Sequence, residues 1–169
     1  MASSDPVLLI NRVVPPATSY AIEDEIVGTS SPVESIPVWK FLDVAAAYMD
    51  FYGVLSPQYS GGGVTLILPW SASVATNNVV WQAAFRAIPD DTEDLDTTAH
   101  TYDFNTVTDA APSVIGEVVY PTIAFTDGAD MDSLAAGEAF ILRILRDPAH
   151  ASDSLAATAY LHHVLGKET

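Results

Sequence analysis

Histidine, serine and carboxylate side chains are the residues of this chain that could perform nucleophilic or acid–base chemistry. The chain has four histidines, His100, His150, His162 and His163, and no cysteine. It contains no Gly-x-Ser-x-Gly elbow. Its spacing singles out no Ser-His-Asp set from the many that an acidic chain holds by chance. Two distant carboxylates can form a glycosidase site, but sequence alone places no such pair across a cleft. We therefore expect no enzymatic activity.

Two acidic segments, residues 90–96 and 127–132, offer oxygen ligands for a cation. A calcium loop of the EF-hand type needs alternating acidic residues, a glycine and a later bidentate glutamate. Neither segment has that spacing, so a solvated acidic loop is the simpler interpretation. We therefore expect a fold that does not depend on a metal.

Two further features could be mistaken for ligand sites. His162 and His163 are adjacent in a predicted strand, so their rings point to opposite faces and cannot chelate one metal from one chain. Three copies could bring such histidines together around a trimer axis. Gly61, Gly62 and Gly63 precede a strand and carry no Lys-Ser/Thr, which predicts a flexible turn and not a phosphate loop. We expect no cofactor.

The charge of the chain is strongly one-sided. It has 22 acidic and 6 basic residues, a formal net charge of −16. Nucleic acids and anionic membranes attract basic surfaces, so we expect neither as a partner. The N-terminus lacks a basic, apolar leader, and no run of about 18 apolar residues occurs, so we expect no signal peptide and no membrane span. The acidity favours either simple solubility or attraction to a basic partner surface.

Alternating apolar residues predict strands and not helices. The clearest are residues 63–70 and 79–88, which we expect to be adjacent strands joined by a hairpin at Asn77 and Asn78. Trp39, Trp70 and Trp81 fall at strand positions and are expected in the core, although an exposed one could stack on a sugar. Further strands are predicted at residues 35–42, 48–55, 117–125, 137–147 and 156–164.

Helical signals are short, at residues 43–51 and 131–137. Many short strands separated by glycine, proline and asparagine indicate an all-β protein, an antiparallel sandwich or barrel. Residues 31–169 are therefore expected to form one domain.

The first 30 residues differ from the rest. An apolar block lies between Pro6 and Pro15, and it predicts either an edge strand of the same domain or an extended arm that pairs with a neighbour. We favour an arm that contacts a partner and does not complete its own core. The expected partner-binding residues are Val7, Leu8, Leu9, Ile10, Val13 and Val14.

Residues 33–166 resemble small structural proteins of tailed phages. The resemblance lies in patterns of strands and turns and not in catalytic signatures, and residues 1–30 lie outside it. It is carried by residues 36–39, 49–51, 57–65, 70, 79–81, 117–120, 123–126, 136–147 and 153.

This resemblance implies an antiparallel jelly-roll β-sandwich and a place in the virion. Its first implication is a capsid cement, or decoration, protein. Such a protein would be made in the host cytoplasm, bind the major capsid protein on the outer capsid surface as a homotrimer, and stabilise the shell. The alternative is a knob of a phage tail or head fibre that binds a receptor or glycan.

Overall fold

The computed structural model describes residues 6–169, and this part of the chain is all-β. Apart from one 3-10 turn at Ala129–Met131 it contains no helix, and none of its segments is a helix long and apolar enough to cross a membrane. The described strands are β1 (Leu8–Val14), β2 (Ile22–Val27), β3 (Ser35–Phe41), β4 (Ala47–Leu55), β5 (Val64–Ile67), β6 (Trp70–Ala72), β7 (Asn78–Ile88), β8 (Asn105–Ala110), β9 (Thr122–Phe125), β10 (Ala139–Arg146), β11 (Ala159–Leu161) and β12 (Leu165–Glu168).

The strands form two antiparallel layers. The first sheet has the order β1-β4-β10-β7-β8. The second layer consists of β2-β3-β11-β6, continued by β12-β5-β9. Only residues 68–69 separate β5 from β6, and residues 162–164 separate β11 from β12. Hydrogen bonds from His162 N–H to the Pro69 carbonyl (2.9 Å) and from Trp70 N–H to the Val119 carbonyl (3.0 Å) join these parts into one sheet, called here the second sheet.

The strand order is that of a jelly roll. In the second sheet β3 pairs with β11 and β11 with β6, while β12 pairs with β5 and β5 with β9. The first sheet, which contains β4-β10-β7-β8, faces the second. The chain thus crosses repeatedly between the layers, as two Greek keys require. The prediction of an antiparallel jelly-roll β-sandwich is confirmed. The first two strands extend it, with β1 beside β4 and β2 beside β3.

The core lies between the two layers, as alternation of the strands requires. Trp70 and Trp81 are fully buried and meet edge to face at 5.9 Å, while Phe41 meets Trp81 at 5.0 Å. Trp39 is partly buried against the same cluster. Trp70 and Trp81 therefore occupy the core positions that the sequence predicts, while Trp39 lies at the margin of the core.

The predicted hairpin of residues 63–70 with 79–88 is wrong. Asn77 does adopt a positive φ of 73°, but the connection carries the chain from one layer to the other. Strand β5 pairs with β9 and β12, while β7 pairs with β8 and β10. A hairpin and a crossover between layers both bury one face of each strand, so the alternation of apolar residues fits either.

The other predicted strands are present in the structure in whole or in part. The strands predicted near β3, β4, β9 and β10 are present, and β10 is central in the first sheet. Of the last predicted strand, residues 156–164, only β11 forms, and β12 begins after it and was not predicted. Residues 47–51 of the first helical signal form part of β4. Strands β2 and β8 were not predicted, because Ile22–Val27 and Asn105–Ala110 are polar edge strands with little apolar alternation.

The apolar N-terminal block is an edge strand of its own domain. Strand β1 pairs antiparallel with β4. Val7 N–H donates to the Gly166 carbonyl (2.9 Å), and Ser56 N–H donates to the Val7 carbonyl (2.8 Å). Val7 and Leu8 are buried in the core of this chain. The expectation that the block does not complete its own core is therefore corrected for these two residues, since burying them within the chain removes apolar surface from water without a partner.

Candidate functional site

Two neighbouring apolar depressions lie on the outer face of the second sheet and are together called the cleft here. Each depression has a volume of about 320 Å³. One wall is the β2–β3 hairpin, with Glu25, Ile26, Ile36 and Pro37. The other wall is the segment 115–120, with Ile115, Gly116, Val118 and Tyr120. The remaining lining residues are Pro69, Ser71, Ala72, Ser73, Tyr160, His162 and His163.

The floor of the cleft follows from the register of β11. Tyr160 lies opposite Lys40 on β3 and Ser71 on β6, while its neighbours Ala159 and Leu161 point into the core. Since successive strand residues alternate in direction, Tyr160 faces outward. A hydrogen bond of 3.0 Å between Ser71 Oγ and His162 Nε2 joins the two depressions.

The walls of the cleft expose large apolar side chains. Ile115 and Tyr120 are each 63% exposed, and Ile36 is 44% exposed. Single exposed apolar residues are ordinary, but several around one depression mark a binding surface. The cleft is therefore a candidate site for a ligand or partner that offers apolar surface.

The ionisable groups of this face are an ion pair, two histidines and the acidic side chain of Glu25. Asp24 and Lys40 form an ion pair of 3.1 Å beside the cleft. The Glu25 backbone N–H and then Lys40 lower the pKa of Asp24. Burial, and then the neighbouring His163, lower the pKa of His162 below its usual 6.5. The lowered pKa favours the neutral imidazole of His162, which can hydrogen-bond Ser71 without adding charge.

The outer face of the first sheet carries an ion-pair cluster. Arg143 donates twice to the Asp50 carboxylate, at 2.7 Å each, and its guanidinium lies 4.3 Å from the centre of the Tyr102 ring. Asp50 raises the pKa of Arg143. Arg86 pairs with Glu93 at 2.6 Å. These contacts hold residues of the 89–104 segment to the sheet, which is a structural role.

The two acidic segments bind parts of the protein itself. Asp127 accepts a hydrogen bond from the Tyr59 hydroxyl at 2.8 Å, and Asp130 accepts bonds from Thr126 and Asn105. Over residues 6–169, no three His, Asp or Glu side chains are grouped so that they could hold a metal ion. The histidines 162 and 163 both line the cleft, and so the expectation that they face opposite sides is wrong at this break between β11 and β12.

The expected partner-binding residues lie at the edge of the first sheet and do not line the cleft. Val7 and Leu8 are buried, Ile10, Val13 and Val14 are half-buried, and Leu9 is exposed. Contact of the outward side chains with a partner stays a prediction. Sequence reasoning missed the cleft as a site, although apolar Ile36 beside the polar residues of the hairpin was a signal for it.

Comparisons with known proteins assign no family to the chain. No protein-family model matches it. No curated protein is significantly similar in sequence. One similar solved structure is the carbohydrate-binding module TmCBM61 in complex with β-1,4-galactotriose. That similarity covers 94% of this chain and 88% of the other, with 11% identity and a TM-score of 0.39. At these values it assigns neither function nor ligand to this chain.

Proposed function

We propose that this chain is a non-catalytic structural protein of a phage particle. In this role it is a capsid decoration protein that binds the major capsid protein on the outer capsid surface as a homotrimer and stabilises the shell. The resemblance of residues 33–166 to such proteins supports the setting, and the jelly-roll sandwich is the fold that it implies. The observation that carries the proposal is the apolar cleft on the second sheet.

The energetics of the cleft favour association. Burying a large apolar side chain fully contributes about 1.5–3 kcal/mol, and Ile36, Ile115 and Tyr120 each have a large exposed part available for burial. The rest of the chain carries most of a net charge of −16, which draws it to a basic surface and increases the association rate. An apolar cleft within an acidic surface therefore suits a partner whose apolar contact residues are surrounded by basic residues.

The test uses purified particles of the phage that encodes the chain. Quantitative mass spectrometry should find the chain in hundreds of copies per particle, in fixed ratio to the major capsid protein. Ile115→Asp should reduce its occupancy on capsids at least about tenfold, the equivalent of roughly 1.4 kcal/mol. Leu95→Asp places the same charge at an exposed leucine outside the cleft and is the matched control. Absence of the chain from particles would refute the proposal.

One observation favours a second candidate, a glycan-binding knob of a tail or head fibre. The exposed ring of Tyr120 lies in the same depression as His162 and His163, which offers a stacking face beside hydrogen-bonding groups. Calorimetry with the surface polysaccharides of the host tests this role. Tyr120→Ala should abolish binding, while Tyr20→Ala, at another half-exposed tyrosine, should not. Few copies per particle together with such binding would select this candidate over the first.

A further inference from the structure

Strand β2 presents an open sheet edge. It is the outermost strand of the second sheet and pairs with β3 over its six residues without a register shift. Gly28 N–H donates to the Glu34 carbonyl. In an antiparallel ladder the hydrogen-bonded pairs recur at every second residue. The N–H and C=O groups of Glu23, Glu25 and Val27 therefore point away from β3, toward the edge.

The other edges of the described sandwich are joined to neighbouring segments. Val7 links β1 to Gly166 of β12, and β1 also changes register between Ile10 and Arg12. The Asn105 side chain of β8 donates to the Ala124 carbonyl of β9 at 2.9 Å. Strand β6 is covered by Val119. Strand β8 also pairs without a register shift, and its link to β9 is made by the Asn105 side chain. Within residues 6–169, β2 is a regular edge at which Glu23, Glu25 and Val27 make no main-chain hydrogen bond to a further strand.

The side chains of β2 determine which partner this edge can accept. Glu23, Asp24 and Glu25 follow one another, between Ile22 and Val27, which are both about half-exposed. A second copy added antiparallel to this strand would set acidic residues against acidic residues, which destabilises a strand pair. The same row attracts lysine and arginine. The edge therefore opposes self-pairing and suits a basic strand.

We propose that β2 accepts an extended segment of a partner protein as an additional antiparallel strand. The segment carries lysine or arginine residues that alternate with β-branched apolar residues. Main-chain bonds to Glu23 and Val27 align it, its cations meet Glu23 and Glu25 on one face of the strand, and its apolar side chains lie beside Ile22 and Ile26 on the other face. This inference deepens the proposed function, on which it rests for the existence of such a partner, and it supplies a docking edge next to the cleft.

One donor on this edge is already engaged. Glu25 N–H donates to Asp24 Oδ1 at 2.9 Å, and Asp24 in turn is paired with Lys40. The Glu25 side chain accepts a hydrogen bond from Ser35. A partner strand therefore gains most from the main-chain groups of Glu23 and Val27, so these two positions decide the register.

The test uses a defined peptide, Lys-Val-Lys-Val-Lys-Val with blocked termini, added to the full chain and observed by NMR. We expect amide shifts concentrated at residues 22–28. A second peptide, N-methylated at alternate residues on the pairing edge, keeps every charge but loses its main-chain donors. It should bind at least about tenfold more weakly, since each lost hydrogen bond is worth a severalfold change.

The control separates strand addition from general attraction to an acidic protein. Equal affinity of the two peptides, or shifts spread over other acidic surfaces, would overturn the inference. Val27→Pro removes an outward-pointing N–H, which edge strands tolerate, and should weaken the unmethylated peptide to the level of its methylated form. If that variant does not fold, the peptide comparison on the unchanged chain still decides. Peptide binding at β2 with no chain on the capsid would refute the decoration role alone.

Discussion

Removing the guanidinium of Arg146 should lower the free energy of unfolding more than any substitution of a residue on the protein surface. Arg146 is 0% exposed at the end of β10. It pairs with the buried Asp153 through two hydrogen bonds of 3.1 and 3.2 Å. It also donates to the carbonyls of Phe41, Leu155 and Ala157. One side chain thus joins β10 and β3 to the segment that leads into β11.

The magnitude follows from what Arg146→Met leaves behind. The Asp153 carboxylate stays buried and retains only the N–H groups of Val80 and Leu155 as donors. Breaking a buried pair by removing one partner costs about 3–5 kcal/mol. At about 2–4 °C per kcal/mol for a domain of this size, the Tm should fall by roughly 6–20 °C. Because methionine fills much of the volume of the arginine side chain, the loss of stability measures the contribution of the polar network.

The assay is urea unfolding followed by tryptophan fluorescence, with Arg12→Met as the control at an exposed arginine. The control should change the free energy of unfolding by less than about 0.5 kcal/mol. Adding Asp153→Asn to Arg146→Met should cost less than the sum of the single changes, because the stranded charge is gone. A loss below about 1 kcal/mol for Arg146→Met, or strict additivity, would refute the reasoning.

Three further outcomes are expected. Val7→Ala should lower the free energy of unfolding by up to about 1.5–3 kcal/mol, while Leu9→Ala on the exposed side of the same strand should be nearly neutral in the same urea assay. Gly53→Ala should cost about 1–3 kcal/mol in thermal melts, since its Cβ would lie 2.7 Å from both the Leu9 carbonyl oxygen and the Phe140 ring. Burial, and then the hydrogen bond to Asp127, raise the pKa of Tyr59 to about 12. Because the unfolded tyrosine ionises near 10, stability is complete below pH 10 and is lost as the pH rises toward 12; Tyr59→Phe should flatten that decline.

The alternation of apolar residues along the sequence predicts much of the strand architecture. Val79, Trp81 and Phe85 recur at even spacing along β7 and lie in the core between the two sheets. The run of β10, which is apolar on both faces, predicts a central strand, and β10 is central in the first sheet. Such alternation works because strand side chains point to opposite faces whatever the neighbour. Strands β2 and β8 were not predicted, because an edge strand buries too little surface to require alternating apolar residues.

Sequence by itself determined the class of the fold, the identity of its aromatic core and the strongly acidic character of the molecule. Only the tertiary structure decided that β5 and β6 lie in the second sheet and β7 in the first, instead of pairing as a hairpin, because either arrangement buries Trp70 of β6 against Trp81 of β7. It also decided that Arg146 is buried, since its partners Asp153 and Phe41 are brought together by strands distant in sequence. The cleft has the same origin: Ile36, Tyr120 and His162 come from three separate segments. Alternation along one strand records which residues face inward, and carries no information on which outward residues become neighbours.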